Sequence, residues 1–312
     1  MTKTLAIGSY NATDRAALTD AFDALVIEDP SALSGLSDAQ RTDITAVAYT
    51  GHHRFGEAEM AYLPNLRVVA NYGVGYDAID VKDADARGIK VTNTPNVLND
   101  DVADLAIAMW LMQGREMRLA EQRVRSGAWA KDGPAPLNRK LSGKTAGIMG
   151  MGRIGRDIAD RLAAFKMDIH YHARSEKQTP GWTYHADPVD LARAVDFMFV
   201  ALVGGPDTEK YVSRDVIAAL GRDGVIVNIS RGSVIDEEAL LDALESGGIA
   251  GAGLDVFVGE PQVNPRFLKL ENVVLQPHQG SATVQTRAAM AQLQRDNIAA
   301  HLKGADLLTP VN

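Results

Sequence analysis

Three residues able to do chemistry each follow a short apolar run. Arg231 closes "GVIVNISRG" (224–232), Glu260 lies in "GLDVFVGEP" (253–261), and His278 follows "VVLQP" (273–277). A guanidinium at the end of a buried strand needs a partner or a ligand. Its planar fork can bind a carboxylate and polarise a carbonyl oxygen. An imidazole titrates near working pH and can give a proton to an oxygen on which negative charge develops. A carboxylate beside it favours the protonated ring and fixes its tautomer and orientation. Together these are the parts of a site that turns the ketone of a 2-keto acid into a hydroxyl. The chain has seven histidines. His170 and His172 read as strand residues, His185 as a loop residue and His301 as late in a helix. His52 and His53 follow a strand ending at Thr50 and read either as a solvated pair or as part of a substrate pocket.

A second pattern supplies a cofactor site. "TAGIMGMGRIG" (145–155) sets Gly150, Gly152 and Gly155 in a GxGxxG array. It follows a predicted strand and opens a predicted helix, the context in which the array binds a dinucleotide. Gly150 permits the tight turn, Gly152 lets a pyrophosphate approach the backbone, and Gly155 lets helix and strand pack closely. The helix N-terminus adds N–H donors and positive potential. The next strand ends in "YHARSEK" (171–177), where an NAD site usually carries an acid for the ribose 2′-hydroxyl. Arg174 occupies that position, 19 residues after Gly155, with Ser175 and Lys177 following. An arginine there can grip a 2′-phosphate. The expected cofactor is therefore NADP(H), with NAD(H) possible.

The elements that must hold these residues alternate along the chain. Strands are predicted at 4–9, 44–50, 66–73 and 89–95, and a second series at 145–150, 168–174, 196–202, 224–230, 252–257 and 272–277. Apolar residues at helical spacing separate them, as in Ile154, Ile158, Leu162 and Phe165. Alternating βα units imply parallel sheets wound by right-handed crossovers, and 312 residues favour two such domains. A helix beginning near Asp100 would carry the chain into the second domain, and a helix over about 283–301 would carry it back. The net charge of −8 argues against a nucleic-acid binder. With no cysteine, thiolate zinc sites, iron–sulfur clusters and cysteine nucleophiles are excluded. No metal site is expected. The N-terminus does not read as a signal peptide and no run reaches a membrane span, so the expected location is the cytoplasm.

The ordered set "NYGVGYDAID" (71–80), "TNTPNVLNDDVADLA" (92–106), "GIMGMGRIG" (147–155), "NISRGSVID" (228–236), "GLDVFVGEP" (253–261) and "PHQGSAT" (277–283) resembles the D-isomer-specific 2-hydroxyacid dehydrogenases over nearly the whole chain. With Arg174, it looks most like the NADPH-preferring glyoxylate/hydroxypyruvate reductases and the related hydroxyphenylpyruvate reductases. The resemblance implies an α/β fold of two Rossmann-like or flavodoxin-like domains. A dinucleotide-binding domain (99–284) is inserted into a substrate-binding domain (1–98 and 285–312). It implies Arg231 as the substrate-binding residue, Glu260 as the group tuning the histidine and His278 as the acid/base. The backbone of Val74 and Gly75 would hold the substrate carboxylate, beside Arg231 and His278. Asn99 and Asp255 would lie by the nicotinamide, and Gly152, Arg153 and Ile154 by the pyrophosphate. Leu202, Ile229, Ser230 and Gly280 would be further cofactor contacts. A homodimer would form through a segment at 104–129, in which Trp129 either reaches towards the partner's site or anchors the interface. Two other readings stay open: an NAD-preferring enzyme for D-lactate or an aryl-pyruvate, and a non-enzymatic dinucleotide-sensing corepressor. If Arg174 binds a 2′-phosphate, Arg174→Ala weakens NADPH binding by roughly 1.5–3 kcal/mol, the range of a hydrogen bond to a charged group. An unchanged NADPH dissociation constant by titration would refute the assignment.

Overall fold

The computed structural model describes residues 3–312, which form two compact units. Met1–Leu98 together with Thr283–Asn312 make the first unit, and Asn99–Ala282 make the second.

The first unit has five parallel strands, β1 (Thr4–Ile7), β2 (Leu25–Ile27), β3 (Ala46–Tyr49), β4 (Val68–Asn71) and β5 (Lys90–Thr92), in the order β2-β1-β3-β4-β5. The central strands are buried on both faces, as parallel strands with continuous apolar runs must be. One face is built from large side chains such as Ile7, Tyr49, Phe55 and Val69. The other is lined by Ala6, Ala46, Ala48 and Ala70, which let Ile298 of the returning helix Val284–Leu302 pack close to the sheet. Within that helix Gln294 is buried, and its Nε2 donates to the carbonyls of Tyr49 (3.1 Å) and Ala70 (2.7 Å) at the strand ends. The helix is capped by Thr283, whose hydroxyl accepts from the Thr286 amide.

The second unit has seven parallel strands: β6 (Thr145–Met149), β7 (Asp168–His172), β8 (Thr183–His185), β9 (Phe197–Val200), β10 (Val225–Asn228), β11 (Gly251–Leu254) and β12 (Val273–Leu275). Their order is β12-β11-β10-β9-β6-β7-β8, so the winding reverses between β6 and β9. Helix Asn99–Gly114 opens the unit, followed by Met117–Arg125 and Ala128–Asp132, the last of which starts inside the 104–129 segment and runs past it. Its Trp110 is fully buried and meets Phe165, Phe197 and Phe199 edge-on, with ring centroids at 5.2, 5.5 and 6.2 Å. Arg161 on helix Arg153–Ala164 pairs with Asp100 (2.8 Å) and Asp104 (2.6 Å) of the opening helix. The expected α/β fold with two parallel sheets is what the chain adopts.

Two strands escape the sequence reading, β2 and β8, each an edge strand of three residues without a buried alternation. His185 consequently lies on a strand, not in a loop. Its Nε2 is 2.8 Å from His170 Nδ1 on β7, and its carbonyl contacts His172 Nδ1 at 2.9 Å. Among the described residues, no helix is long and apolar enough to cross a membrane.

Burial first, and then the positive charge available to His170, hold the His185 imidazole below its ordinary titration range. The unfolded chain takes up that proton near the ordinary value of about 6.5, before the folded one does. Stability from this group is thus intact above that pH and lost as pH falls below it. Melting temperature should fall between pH 7.5 and pH 5, and less steeply in His185→Gln; parallel profiles for the two proteins would contradict this.

Candidate active site

The dinucleotide cradle stands at the reversal of the second sheet, where open α/β sheets bind ligands. Gly150 follows β6 with φ +106°, and a Cβ there would come within 2.7 Å of the Ala201 carbonyl after β9. A Cβ on Gly155 would sit 2.0 Å from the Gly150 carbonyl, so helix and turn touch through backbone alone. Gly152 is different: nothing lies within 4 Å of its Cβ position, and it caps helix Arg153–Ala164 without a side chain. The first amides of that helix therefore face open space beside an uncapped terminus, a fit for a pyrophosphate. Arg153 is exposed and Ile154 half-buried at this end, and Leu202 is half-buried beyond Ala201. Arg174, Ser175 and Lys177 lie exposed past β7, with Lys177 Nζ donating to Ser175 Oγ at 3.1 Å.

Arg231, Glu260 and His278 all lie past the carboxyl ends of adjacent strands, β10, β11 and β12. The loop after Arg231 abuts the loop that leads to Glu260: a Cβ on Gly232 would fall 2.0 Å from the Phe257 carbonyl carbon. Glu260 uses both oxygens. Oε1 accepts from the Phe257 amide (2.8 Å) and Oε2 meets His278 Nδ1 at 2.7 Å. The carboxylate is thereby locked to its own loop while it holds the imidazole, and the bond to Nδ1 assigns any proton transfer to Nε2.

His278 itself stands in left-handed backbone, φ +54°, uncommon for a residue other than glycine though histidine is among those that adopt it. Asp255, with 1 % of its surface exposed, holds it there. The Asp255 carbonyl accepts from the His278 amide (2.9 Å), and its two carboxylate oxygens accept from the amides of Gln279 (2.6 Å) and Gly280 (2.8 Å). Burial pushes the Asp255 carboxyl above the usual range, against the pull of these two amides, which favour the charged form. Gly280 leaves room for this, since a Cβ there would press on Asp255 Oδ2 at 3.2 Å and on Val102.

One of the turn residues was invisible as functional in the chain. Asn228 is buried and accepts from the Ser230 amide (3.0 Å) and hydroxyl (2.8 Å), while its Nδ2 donates to the Arg231 carbonyl (3.0 Å). It shapes the turn that presents Arg231, and its only signal is an Asn ending an apolar strand, the chemistry of an Asx turn. Ser230 is accordingly engaged with Asn228, Ile229 is buried beside it, and Arg231 NH1 donates to the Ser230 carbonyl at 2.8 Å. Asn99 is half-buried at the start of helix Asn99–Gly114.

In the first unit, the loop after β4 has its carbonyls taken: Asn71 Nδ2 donates to those of Gly73 (3.1 Å) and Gly75 (2.9 Å), and Asn93 Nδ2 to that of Val74 (2.9 Å). Among the described residues, no protein acceptor is recorded for the Val74 and Gly75 amides. The Tyr49 hydroxyl donates to the His53 carbonyl, and His52 and His53 are both exposed.

The family model described as the NAD-binding domain of D-isomer specific 2-hydroxyacid dehydrogenases matches residues 107–280. The chain belongs to this family. Its dehydrogenase relatives include a hydroxyphenylpyruvate reductase of Plectranthus scutellarioides, 47% identical over 249 residues, covering 80% of this chain and 79% of that one. A glyoxylate/hydroxypyruvate reductase of Arabidopsis thaliana is 45% identical over 278 residues, covering 89% and 88%. The crystal structure of an NADPH-dependent glyoxylate/hydroxypyruvate reductase from Sinorhizobium meliloti, in complex with NADP and malonate, superposes with a TM-score of 0.93 at 43% identity, covering 100% of this chain and 97% of that one. As a 2-hydroxyacid dehydrogenase, the protein is an oxidoreductase with a nicotinamide-dinucleotide domain and the family's two-domain Rossmann-type fold.

Asp255→Asn exchanges one acceptor oxygen for an amide that faces a backbone N–H. It should cost about 1–3 kcal/mol of stability, the penalty of a buried donor left without an acceptor. A shift in the urea midpoint measures it; an unshifted midpoint would show that Asp255 does not hold the His278 turn.

Proposed function

We propose that this dehydrogenase reduces small 2-keto acids, glyoxylate and hydroxypyruvate foremost, to D-2-hydroxy acids with NADPH, and that His278 is the proton donor. The observation carrying the reading is the 2.7 Å bond from His278 Nδ1 to a carboxylate, Glu260, that is itself fixed on the Phe257 amide. A glutamate so placed fixes the tautomer and holds one ring orientation. Gly150, Gly152 and Gly155 would hold a reduced nicotinamide dinucleotide, which would supply the hydride for the carbonyl carbon. His278 Nε2 delivers the proton that the resulting alkoxide requires. Arg231 grips the substrate carboxylate and draws charge onto the ketone oxygen through its fork. In the first unit the proposal assigns the Val74 and Gly75 amides to a substrate carboxylate.

Arg174 at the position of the usual ribose-binding acid, with Ser175 and Lys177 beside it, supports NADP(H) over NAD(H). The S. meliloti relative is named as NADPH-dependent and was crystallised with NADP. A reductase that consumes reduced dinucleotide works where that pool is held, which fits the cytoplasm. The segment from Met117 to Leu137 exposes Met117, Val124, Trp129 and Leu137, the last two at 60% and 101%. A second copy of the chain would cover this apolar surface, so we also propose a homodimer built there. The 47% identity to a hydroxyphenylpyruvate reductase favours an aryl-pyruvate as the second substrate class.

Oxidation of NADPH and NADH against glyoxylate, hydroxypyruvate, phenylpyruvate and pyruvate tests the reading. NADPH with glyoxylate or hydroxypyruvate should give the highest kcat/KM, and preference for NADH throughout would overturn the cofactor assignment. His278→Ala should lower kcat by roughly 10²–10⁴-fold, and Arg231→Lys should also be poor because a point charge cannot reproduce the fork. Turnover of His278→Ala within a few-fold of the parent would remove His278 from its role.

A further inference from the structure

The segment bearing Arg174, Ser175 and Lys177 belongs to no helix or strand. Arg174 and Lys177 flank the acid Glu176, so in an untethered loop the two cations would be free to turn to that carboxylate or to spread apart. Here the loop is closed by phenols from the sheet beneath it. Tyr184 on β8 donates its hydroxyl to the Ala173 carbonyl at 3.2 Å, where the loop begins. Tyr171 on β7 is fully buried, and its hydroxyl serves the far end. It accepts from the Lys177 amide at 2.8 Å and donates to the Lys177 carbonyl at 3.0 Å. One residue on, the Gln178 carbonyl accepts from the guanidinium of Arg156, which lies over the Trp182 ring at 5.6 Å. The two phenol rings pack together at 5.4 Å. A phenylalanine would fill the same space in the core; the hydroxyl oxygen of Tyr171 is spent on the backbone of Lys177.

We propose that Tyr171 is a positioning residue for dinucleotide selectivity: its buried hydroxyl closes the 174–177 loop into a preformed arc of guanidinium, hydroxyl and ammonium that fits a ribose 2′-phosphate. The inference rests on the reading of Arg174 as a 2′-phosphate ligand and goes beyond it. Donors already gathered at one point lose less freedom when the anion arrives, so affinity for the phosphate exceeds what the same side chains give on a loose loop. The hydroxyl touches no part of the dinucleotide in this scheme. Its removal should therefore be felt only through the phosphate increment.

Binding of adenosine 2′,5′-bisphosphate and of 5′-AMP to the full chain, followed by calorimetry, reads that increment directly. Tyr171→Phe should weaken the bisphosphate roughly three- to tenfold, the share of one or two neutral hydrogen bonds. It should leave 5′-AMP within about twofold, and the NADPH-to-NADH ratio of kcat/KM should fall in step. Arg174→Ala should weaken the bisphosphate at least as much. Loss of both nucleotides alike in Tyr171→Phe, or of neither, overturns the inference while Arg174→Ala upholds the cofactor reading. An unaltered bisphosphate affinity in Arg174→Ala overturns that reading instead.

Discussion

A buried carboxylate under a turn holds the chemistry of this chain in place. Asp255 gives both oxygens to the amides of Gln279 and Gly280 and its carbonyl to that of His278. Those three bonds keep His278 in a left-handed conformation uncommon outside glycine. From that conformation its ring meets Glu260, and Glu260 is in turn tied to the Phe257 amide two residues past Asp255. One short stretch after β11 thus fixes both the backbone and the side chain of the imidazole. Rigidity of this kind makes a proton donor useful, since a misplaced acid contributes little to a barrier.

Arg231 depends on the same region through packing. Gly232 lies so close to the Phe257–Val258 backbone that no Cβ could enter, and Asn228 curls the preceding turn. The cofactor cradle obeys a similar rule at β6 and β9, where Gly150 and Gly155 remove side chains so that backbones can meet, and Gly152 leaves a helix end open. Bare backbone is used for two ends here: closeness of the elements and donors for an anion.

Much of this was legible. Continuous apolar runs marked ten of the twelve strands, because parallel strands are buried on both faces and cannot alternate. The missed ones, β2 and β8, are three-residue edges whose burial is partial: β8 carries no apolar run, and that of β2 is only the four residues Ala24 to Ile27. His185 was misplaced for that reason. GxGxxG and the ordered motifs marked the candidate site because chemistry needs particular atoms, and only a few residue types have them. Asp255 was read as a nicotinamide neighbour; that its carboxylate accepts from two backbone amides is something no residue type reveals.

The chain alone determined its family, its two parallel sheets and the identity of the groups able to bind anions or move a proton, since side-chain chemistry and apolar periodicity are local properties. Tertiary structure decided which partner each group serves: Glu260 on His278, Asn228 on the Arg231 turn, Tyr171 on the backbone of Lys177. Hydrogen bonds of that kind depend on distances of a few tenths of an ångström, and such distances exist only once the strands that carry the groups have been set side by side.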